Sequence, residues 1–299
     1  MKQPDFIIIG AMKCATSSLH EQLALQPNIF MSELKEPNFF SNDEEYSKGL
    51  DWYWSHFEAA APTDLCGESS THYSKLPTYP LTIERLQQTL PDAKLIYVMR
   101  HPIDRLVSQY VHEWSQRVMD VEINQAVDQF SELIDYSRYT MQLQPYFDTF
   151  GPERVLPVFF ERLFAHPQAE LERICYFLGY GGEPKWQELD AQNVSSARMR
   201  TSAWRDALVE NPMLEALRRT LIPKSFRTWV RSLWSMRDRP TLTSEQEQRL
   251  HRIFDQDLAL LGQWLNVELS CATFKTVVKD QPLEWTNIPT DGLSTSRVG

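Results

Sequence analysis

The chain has 299 residues, of which 42% are apolar and 12% aromatic, a composition that supports a sizeable buried core and excludes a disordered protein. Its 30 basic and 40 acidic residues give a formal net charge of -10, which argues against general nucleic-acid binding but still permits a local basic cleft. The four cysteines form no CxxC pair and no Cys/His cluster along the sequence, so we expect reduced thiols, no disulfide framework and no metal site.

Three short, continuous apolar runs predict buried parallel strands at residues 6–9, 95–99 and 155–160. Helical spacing of apolar residues is found at residues 17–26, 82–91, 104–114 and 168–180, and Gly179 is the expected end of the last of these helices. Alternating strands and helices indicate an α/β protein, with a single domain whose central parallel sheet is flanked by helices.

The C-terminal part, from about residue 200 to 276, is expected to be mainly helical. Its clearest helix, residues 244–265, begins with Ser244 and Glu247 in the spacing of a capping box. Periodicity is lost from about 277, so we expect a domain at 1–276 and a polar tail at 277–299. No apolar run approaches the roughly 20 residues of a transmembrane helix, and the first strand leaves no room for a signal peptide. A cytoplasmic protein without a membrane anchor is therefore expected.

The segment after the first predicted strand, GAMKCATSSL (10–19), has the composition of a phosphate-binding loop. A strand that turns directly into a helix directs the unpaired N–H groups of the helix N-terminus at the turn, where they favour an anion. Lys13 adds a positive charge, and Thr16, Ser17 and Ser18 add hydroxyl donors. The same segment also fits an ordinary strand-to-helix turn with a serine N-cap, so a second signal is needed.

Two features separate this loop from that of the P-loop nucleoside triphosphatases and kinases. Lys13 is followed by Cys14 rather than by serine or threonine, and the strand at 95–99 ends in Arg100 rather than in an acidic residue that holds Mg²⁺. A P-loop kinase is therefore the weaker interpretation. Cys14 as a nucleophile is also weak, because the sequence has no activating histidine beside it.

The second signal is Arg100 at the carboxyl end of the strand at 95–99, together with Ser108 about two turns into the following helix. Ligands of open parallel sheets bind at this edge. A guanidinium fork and a hydroxyl suit a phosphate group. Each residue alone also fits a surface position, but with the first loop the pair predicts a ligand that carries two separated phosphate groups.

The two motifs together resemble those of the sulfotransferases that use 3′-phosphoadenosine 5′-phosphosulfate (PAPS). The loop is similar to that family's 5′-phosphosulfate loop, and VMRHPIDRLVSQY (98–110) is similar to its 3′-phosphate motif. Further similar segments follow in the family's order: KEPNFF (35–40), GLDWYW (49–54), GESSTHY (67–73) and VLPVFFERLFAHP (155–167). The likeness covers roughly residues 4–200 and is closest to the branch that contains the heparan sulfate N- and 3-O-sulfotransferases and bacterial relatives.

The resemblance implies a P-loop-NTPase-like sulfotransferase fold, PAPS as the sulfuryl donor, 3′-phosphoadenosine 5′-phosphate (PAP) as the product, and no metal. The nucleotide contacts that it implies are Lys13, Cys14, Ala15, Thr16, Ser17, Ser18, Arg100, Ser108, Tyr139, Arg198 and Arg200. Ala15 departs from the glycine that the family usually has there, which leaves less room for backbone approach. For Tyr139, Arg198 and Arg200, helix packing or a solvated surface position is an equally good interpretation.

Sulfuryl transfer is an in-line displacement of a monoanionic group, which needs less charge neutralisation than a γ-phosphate, so a lysine can suffice. Lys13 is expected to stabilise the leaving phosphate. The resemblance implies Glu36 as the general base, with His72 as the alternative and Glu68 as a residue that orients its neighbours. The acceptor stays open between a glycan hydroxyl or amine and a small hydroxylated metabolite such as a lipid, polyketide or alkaloid. A catalytically inactive nucleotide-binding relative is the other class of function.

Overall fold

Five parallel strands form the central sheet of the computed structural model, which describes residues 2–188 and 239–288. The strands are β1 Phe6–Gly10, β2 Ile29–Met31, β3 Leu65–Ser69, β4 Lys94–Met99 and β5 Val155–Phe159, in the spatial order β2-β3-β1-β4-β5. β1 occupies the centre and pairs with β3 on one side and β4 on the other. Because all pairs are parallel, the carboxyl ends of the strands meet at one edge of the sheet.

Helices connect the strands and cover the sheet. They are α1 Thr16–Ala24, α2 Asp43–Tyr46, α3 Leu50–Ser55, α4 Thr82–Thr89, α5 Pro102–Ser115, α6 Ile123–Gln129, α7 Glu132–Asp135, α8 Tyr139–Phe150, α9 Phe160–Ala165, α10 Pro167–Leu178, α11 Ser244–Leu265 and α12 Phe274–Asp280. Short 3₁₀ turns span Thr71–Ser74 and Pro152–Arg154. α11 packs on α8 and α12 packs on α9, which ties the C-terminal helices to the sheet domain. The predicted α/β fold with one parallel sheet is confirmed.

The three strands that the apolar runs predict are β1, β4 and β5, and Gly179 ends α10 in the left-handed conformation, as predicted. β2 and β3 were not predicted. β2 has only three residues, and β3 reads LCGES, in which two of the last three side chains are polar. Glu68 and Ser69 are nevertheless fully buried, so β3 carries polar groups into the core beside the edge where a ligand would bind.

Two predictions at the C-terminal end are wrong in detail. The N-cap of α11 is Thr243, whose hydroxyl accepts the Gln246 N–H, rather than Ser244 paired with Glu247. The folded part also continues past 277: α12 runs to Asp280, and the Trp285 indole donates to the Val155 carbonyl of β5 at 2.6 Å. Val278 and Leu283 are buried and Trp285 packs against the core, so apolar residues after 277 hold this segment in place. Among the described helices, none combines the length and the apolar character that crossing a bilayer requires.

Candidate functional site

The loop after β1 turns sharply before α1 begins. β1 ends at Gly10, where a Cβ would lie 1.9 Å from the Ser74 hydroxyl oxygen, so a larger residue would clash there. The chain then passes through Lys13 and Ala15, which are both left-handed with φ of 71° and 67°, and enters α1 at Thr16. The N-cap residue offers no side-chain acceptor to the first N–H groups of α1. The helix N-terminus is therefore open to an anion, as expected of a phosphate loop.

Ala15 shows why glycine suits this position in similar loops. Its φ of 67° and ψ of 24° lie in the left-handed region, where the Cβ of an L-residue costs about 1 kcal/mol. Glycine adopts the same conformation without that cost. The alanine thus keeps the turn and its N–H donors at the expense of local backbone strain.

Arg100 and Ser108 face the same place as the loop. Arg100 follows β4, and its Nη1 donates to the Lys13 carbonyl at 3.2 Å while its guanidinium lies 4.3 Å from the centre of the Phe160 ring. Its Nε has no hydrogen-bond partner among the described residues. Ser108 is nearly buried on α5 and lines the cavity next to the loop. The two predicted phosphate motifs are therefore neighbours in space.

A cavity of about 790 Å³ opens at this edge of the sheet. Of the predicted site residues, it is lined by Lys13, Ala15, Thr16, Ser17, Ser18, Glu36, His72, Arg100 and Ser108. A volume of this size suits a nucleotide or another small molecule. The sequence motifs that lie far apart along the chain thus converge on one cavity.

Cys14 and Tyr139 are not among the residues that line this cavity, and their predicted contact with a nucleotide stays a prediction. Cys14 is fully buried, and burial raises the pKa of its thiol to about 12, so it carries no reactive thiolate at neutral pH. Tyr139 is also buried, and its hydroxyl donates to the Arg100 carbonyl and accepts the Arg100 N–H. Tyr139 therefore positions the backbone of Arg100 from behind. Arg198 and Arg200 lie outside the described residues.

Glu36 lines the same cavity and lies in a left-handed turn with φ of 57°. Its backbone N–H donates to the Ser69 carbonyl at 3.0 Å, which fixes the turn to the end of β3. The carboxylate accepts from the Thr71 hydroxyl at 3.3 Å and lies 3.6 Å from the Lys35 ammonium. Lys35 also donates to the Ser17 hydroxyl at 2.5 Å. Lys35 thus connects the carboxylate to the phosphate loop.

His72, the alternative base, stacks on the Tyr79 ring with the ring centres 4.8 Å apart. Burial lowers the pKa of its imidazole to about 4, and the nearby Lys75 acts in the same direction. The imidazole is therefore neutral at physiological pH and is a poor proton acceptor. Its Nδ1 has no partner among the described residues.

Glu68 is fully buried and is not among the residues that line the cavity. Burial raises the pKa of its carboxyl to about 7. The carboxyl accepts from the Tyr53 hydroxyl at 2.8 Å and from the Ser70 hydroxyl at 3.0 Å, and the Ser70 oxygen in turn accepts the Asn38 N–H. These bonds hold the segment that carries Glu36, which agrees with the orienting role expected of Glu68.

Arg105 is a supporting residue that the sequence analysis did not identify. It is fully buried on α5, and its Nη1 lies 3.5 Å from the Met12 carbonyl of the loop. Its other donors bind the Ser137 hydroxyl at 2.5 Å and the Gln109 side chain at 2.7 Å. Arg105 therefore joins the phosphate loop to α5, which carries Ser108. From sequence alone, an arginine in a helix is expected to be exposed to solvent. The burial of Arg105 becomes visible only in the folded structure.

Three potential metal ligands meet outside the cavity, at His251, Asp255 and Cys271, whose ligand atoms lie within 4.8 Å of one another. Sequence spacing does not reveal this group, because its members come from α11 and from the segment before α12. His251 and Asp255 are one turn apart on α11, and the chain returns to them at Cys271 before α12. The Cys271 carbonyl accepts a hydrogen bond from His101 at 3.0 Å. The cluster therefore borders the residue that follows Arg100.

A parallel α/β sheet with a loop at a helix N-terminus and an arginine at neighbouring strand ends has the architecture of α/β proteins whose ligands bind at the carboxyl edge of the sheet. A model of the sulfotransferase domain family matches residues 3–262, and the chain belongs to this family. A crystal structure of a sulfotransferase from Alicyclobacillus acidocaldarius has a TM-score of 0.55 with this chain at 26% identity, covering 76% of this chain and 100% of that one. The predicted sulfotransferase fold is therefore confirmed.

The curated relatives are similar over part of their length. Heparan sulfate glucosamine 3-O-sulfotransferase 3B1 of Mus musculus is 34% identical over 188 residues, which cover 59% of this chain and 46% of that protein. Bifunctional heparan sulfate N-deacetylase/N-sulfotransferase 2 of Homo sapiens is 29% identical over 196 residues, covering 59% and 22%. The chain thus matches about half, or less, of the length of these relatives. The resemblance to this branch, first seen in the motifs, is confirmed.

Proposed function

We propose that the protein transfers the sulfuryl group of PAPS to a hydroxyl or amine of an acceptor molecule. The observation that carries this proposal is the opening of two anion-binding motifs, the loop at 11–18 and the pair Arg100 and Ser108, into one cavity. Two such motifs suit a nucleotide with separated phosphate groups better than a triphosphate. Membership of the sulfotransferase domain family and the names of the relatives support the same class of reaction.

The chemistry of the cavity fits PAPS. The N–H groups at the start of α1, the Lys13 ammonium and the hydroxyls of Thr16 and Ser17 would hold the 5′-phosphosulfate. Arg100, with an Nε that no described residue satisfies, and Ser108 would hold the 3′-phosphate. Tyr139 and Arg105, which bind the backbone of Arg100 and of the loop, would keep the two sets of donors in register.

Bound PAPS supplies the sulfuryl group and a phosphate leaving group. In the transfer, a bond forms between sulfur and the acceptor oxygen or nitrogen, and the bond from sulfur to the bridging oxygen breaks with its electron pair going to PAP. Lys13, on the loop that would hold this phosphate, stabilises the negative charge that develops on the bridging oxygen. The Glu36 carboxylate takes the proton of the acceptor group.

We assign the base role to Glu36 rather than to His72 on the contacts of the two side chains. Lys35 contacts both the Glu36 carboxylate and Ser17 of the loop, so the carboxylate is held at a fixed place relative to the donor site. Burial lowers the pKa of His72 to about 4, which makes this imidazole a weaker proton acceptor than an ordinary histidine. Its stacking on Tyr79 fits a wall of the acceptor site.

Binding and turnover together test the proposal. PAP binding is measured by isothermal titration calorimetry, and transfer is measured with ³⁵S-labelled PAPS and a panel of hydroxyl and amine acceptors. Lys13→Ala is expected to weaken PAP binding at least about tenfold, because a charge-assisted contact contributes roughly 1.5–3 kcal/mol. Lys48→Ala, which removes an exposed lysine paired with Glu45, is the matched control and should bind PAP like the unaltered protein.

The outcomes separate the alternatives. Absence of PAP binding would overturn the proposal. PAP binding without transfer to any acceptor of the panel would instead favour a nucleotide-binding relative that has lost catalysis.

A further inference from the structure

One wall of the cavity has no role in the proposed nucleotide site. We define this acidic wall as Lys75, Tyr79, Glu113, Glu132 and Tyr136, all of which line the cavity. The five residues come from three places in the chain, namely the segment after the 3₁₀ turn at Thr71–Ser74, the end of α5, and α7 with its last turn. The fold therefore builds a continuous surface that no sequence motif predicts.

Contacts within the acidic wall hold its aromatic rings in place. The Tyr136 hydroxyl forms a hydrogen bond of 2.5 Å with Thr78, and its ring centre lies 5.8 Å from the Lys75 ammonium. The Tyr79 ring stacks on His72, which follows the residue that donates to the Glu36 carboxylate. The acidic wall thus borders the proposed base, where the reacting group of an acceptor would lie.

The charges of the cavity are divided unevenly between its two ends. Among the described lining residues, the basic side chains are Lys13, Lys75 and Arg100 with the imidazoles of His72 and His112, and the acidic ones are Glu36, Glu113 and Glu132. Lys13 and Arg100 would be neutralised by the two phosphate-bearing ends of the nucleotide. The remaining space would then be lined by the Lys75 ammonium, two imidazoles and three carboxyl groups, of which the Glu36 carboxylate is already paired with Lys35. An acceptor site of this composition favours positive charge.

The two carboxyl groups of the wall are partly withdrawn from water. Burial raises the pKa of Glu113, the positive charges of Lys75 and Lys13 oppose this, and the like charge of Glu132 adds to it. A cation placed beside these groups would relieve that repulsion, and Coulomb interactions there are stronger than at an exposed surface.

We propose that the acceptor is a hydroxyl compound that carries a protonated amine, with the ammonium group bound at Glu113 and Glu132 and the hydroxyl group directed to Glu36. This inference rests on the proposed sulfuryl transfer and names the acceptor class. A sulfated polysaccharide would bring many negative charges against these carboxylates. The acceptor therefore differs from the heparan sulfate named for the relatives, in keeping with the formal net charge of -10.

Three phenols of similar size test the charge preference. Tyramine carries an ammonium group, 4-ethylphenol is neutral, and 3-(4-hydroxyphenyl)propionate carries a carboxylate, while the reacting hydroxyl is the same in each. Binding is measured by calorimetry with and without saturating PAP, and transfer from PAPS is measured where it occurs. We expect tyramine to bind the PAP-loaded protein at least about tenfold more tightly than the neutral phenol, and the anion to bind most weakly.

Charge-neutralising variants locate the preference. Glu113→Gln combined with Glu132→Gln should reduce the ratio of tyramine to 4-ethylphenol affinity about tenfold without weakening PAP binding, because Glu113 lies within the electrostatic reach of Lys13 and losing its charge does not disfavour an anion there. Because burial already disfavours the charge at Glu113, these changes are not expected to unfold the protein, and thermal melting checks this. Glu172→Gln, an exposed position on α10, is the matched control and should keep the ratio.

Each outcome decides the inference. Equal binding of the three phenols, tighter binding of the anion, or no measurable binding of tyramine overturns the proposed acceptor class. These results leave the proposed function standing if PAP still binds, whereas failure of PAP binding itself overturns the proposed function. A charge preference that survives in the double variant shows that the acidic wall is not its source and also overturns the inference.

Discussion

Glu68→Gln is expected to change how the stability of the protein depends on pH. Glu68 is fully buried on β3, and burial raises the pKa of its carboxyl from the ordinary 4.5 to about 7, against the opposing effect of its hydrogen bonds. The unfolded chain therefore loses this proton near pH 4.5, whereas the folded protein keeps it until about pH 7. Between pH 4.5 and about 7 the carboxyl ionises in the unfolded chain but not in the folded protein. This group therefore makes folding less favourable as pH rises through that range.

The magnitude follows from the two pKa values. The difference between 4.5 and about 7 corresponds to about 3 kcal/mol of unfolding free energy, which is fully present below pH 4.5 and is lost as pH rises to about 7. Glutamine at this position does not ionise. Its amide oxygen can accept from the Tyr53 hydroxyl, and its amide nitrogen can donate to the Ser70 oxygen, so both buried partners stay satisfied.

Urea unfolding followed by tryptophan fluorescence measures this effect at several pH values between 4.5 and 8. The quantity of interest is the unfolding free energy of Glu68→Gln minus that of the unaltered protein, because other titrating groups cancel in it. We expect this difference to rise by about 3 kcal/mol across the range. Glu84→Gln, at an exposed position on α4, should give a constant difference. A constant difference for Glu68→Gln as well would refute the reasoning.

Three further predictions concern the loop, the base and the thiols. Glu36→Gln should retain PAP affinity in calorimetry while kcat falls at least about a hundredfold, and the same pattern in His72→Ala instead would move the base role to the histidine. Ala15→Gly removes left-handed strain but makes the unfolded chain more flexible, so urea unfolding should show a change within about 1 kcal/mol; a loss of several kcal/mol would contradict the strain argument. Burial raises the pKa of all four thiols, so the folded protein should not react with a thiol reagent at pH 8, and denaturation should expose four reactive thiols. Rapid labelling of the folded protein would contradict this burial.

The sequence predicts those parts of the fold that local pattern determines. β1, β4 and β5 are central or covered on both faces, so each is a continuous apolar run that stands out from its surroundings. β3 has no such run because it carries Glu68 and Ser69 into the core, where tertiary hydrogen bonds satisfy them. A strand that depends on distant partners for its polar groups cannot be found from its own residues.

The candidate site shows the same division. The loop around Lys13 and the residue Arg100 are predicted because each directly follows an apolar strand. The carboxyl ends of parallel strands meet at one edge of the sheet, so both were expected there. The resemblance places Tyr139 at the nucleotide site, but in the structure its hydroxyl binds the Arg100 backbone. Tyr139 is the first residue of α8, and the sequence alone does not show where its side chain lies. Arg105 and Glu113 are both charged residues of α5, and the sequence does not distinguish their surroundings. In the structure Arg105 is fully buried, whereas Glu113 lines the cavity.

The most direct test of the central claim compares PAP with AMP, which lacks the 3′-phosphate, by calorimetry. If the cavity binds two separated phosphate groups, the unaltered protein binds PAP at least about tenfold more tightly than AMP. Arg100→Ala should then weaken PAP and leave AMP affinity nearly unchanged, whereas Lys13→Ala should weaken both nucleotides. Equal affinity for PAP and AMP in the unaltered protein, or an equal loss for both nucleotides in Arg100→Ala, would contradict the assignment of two phosphate sites to this cavity.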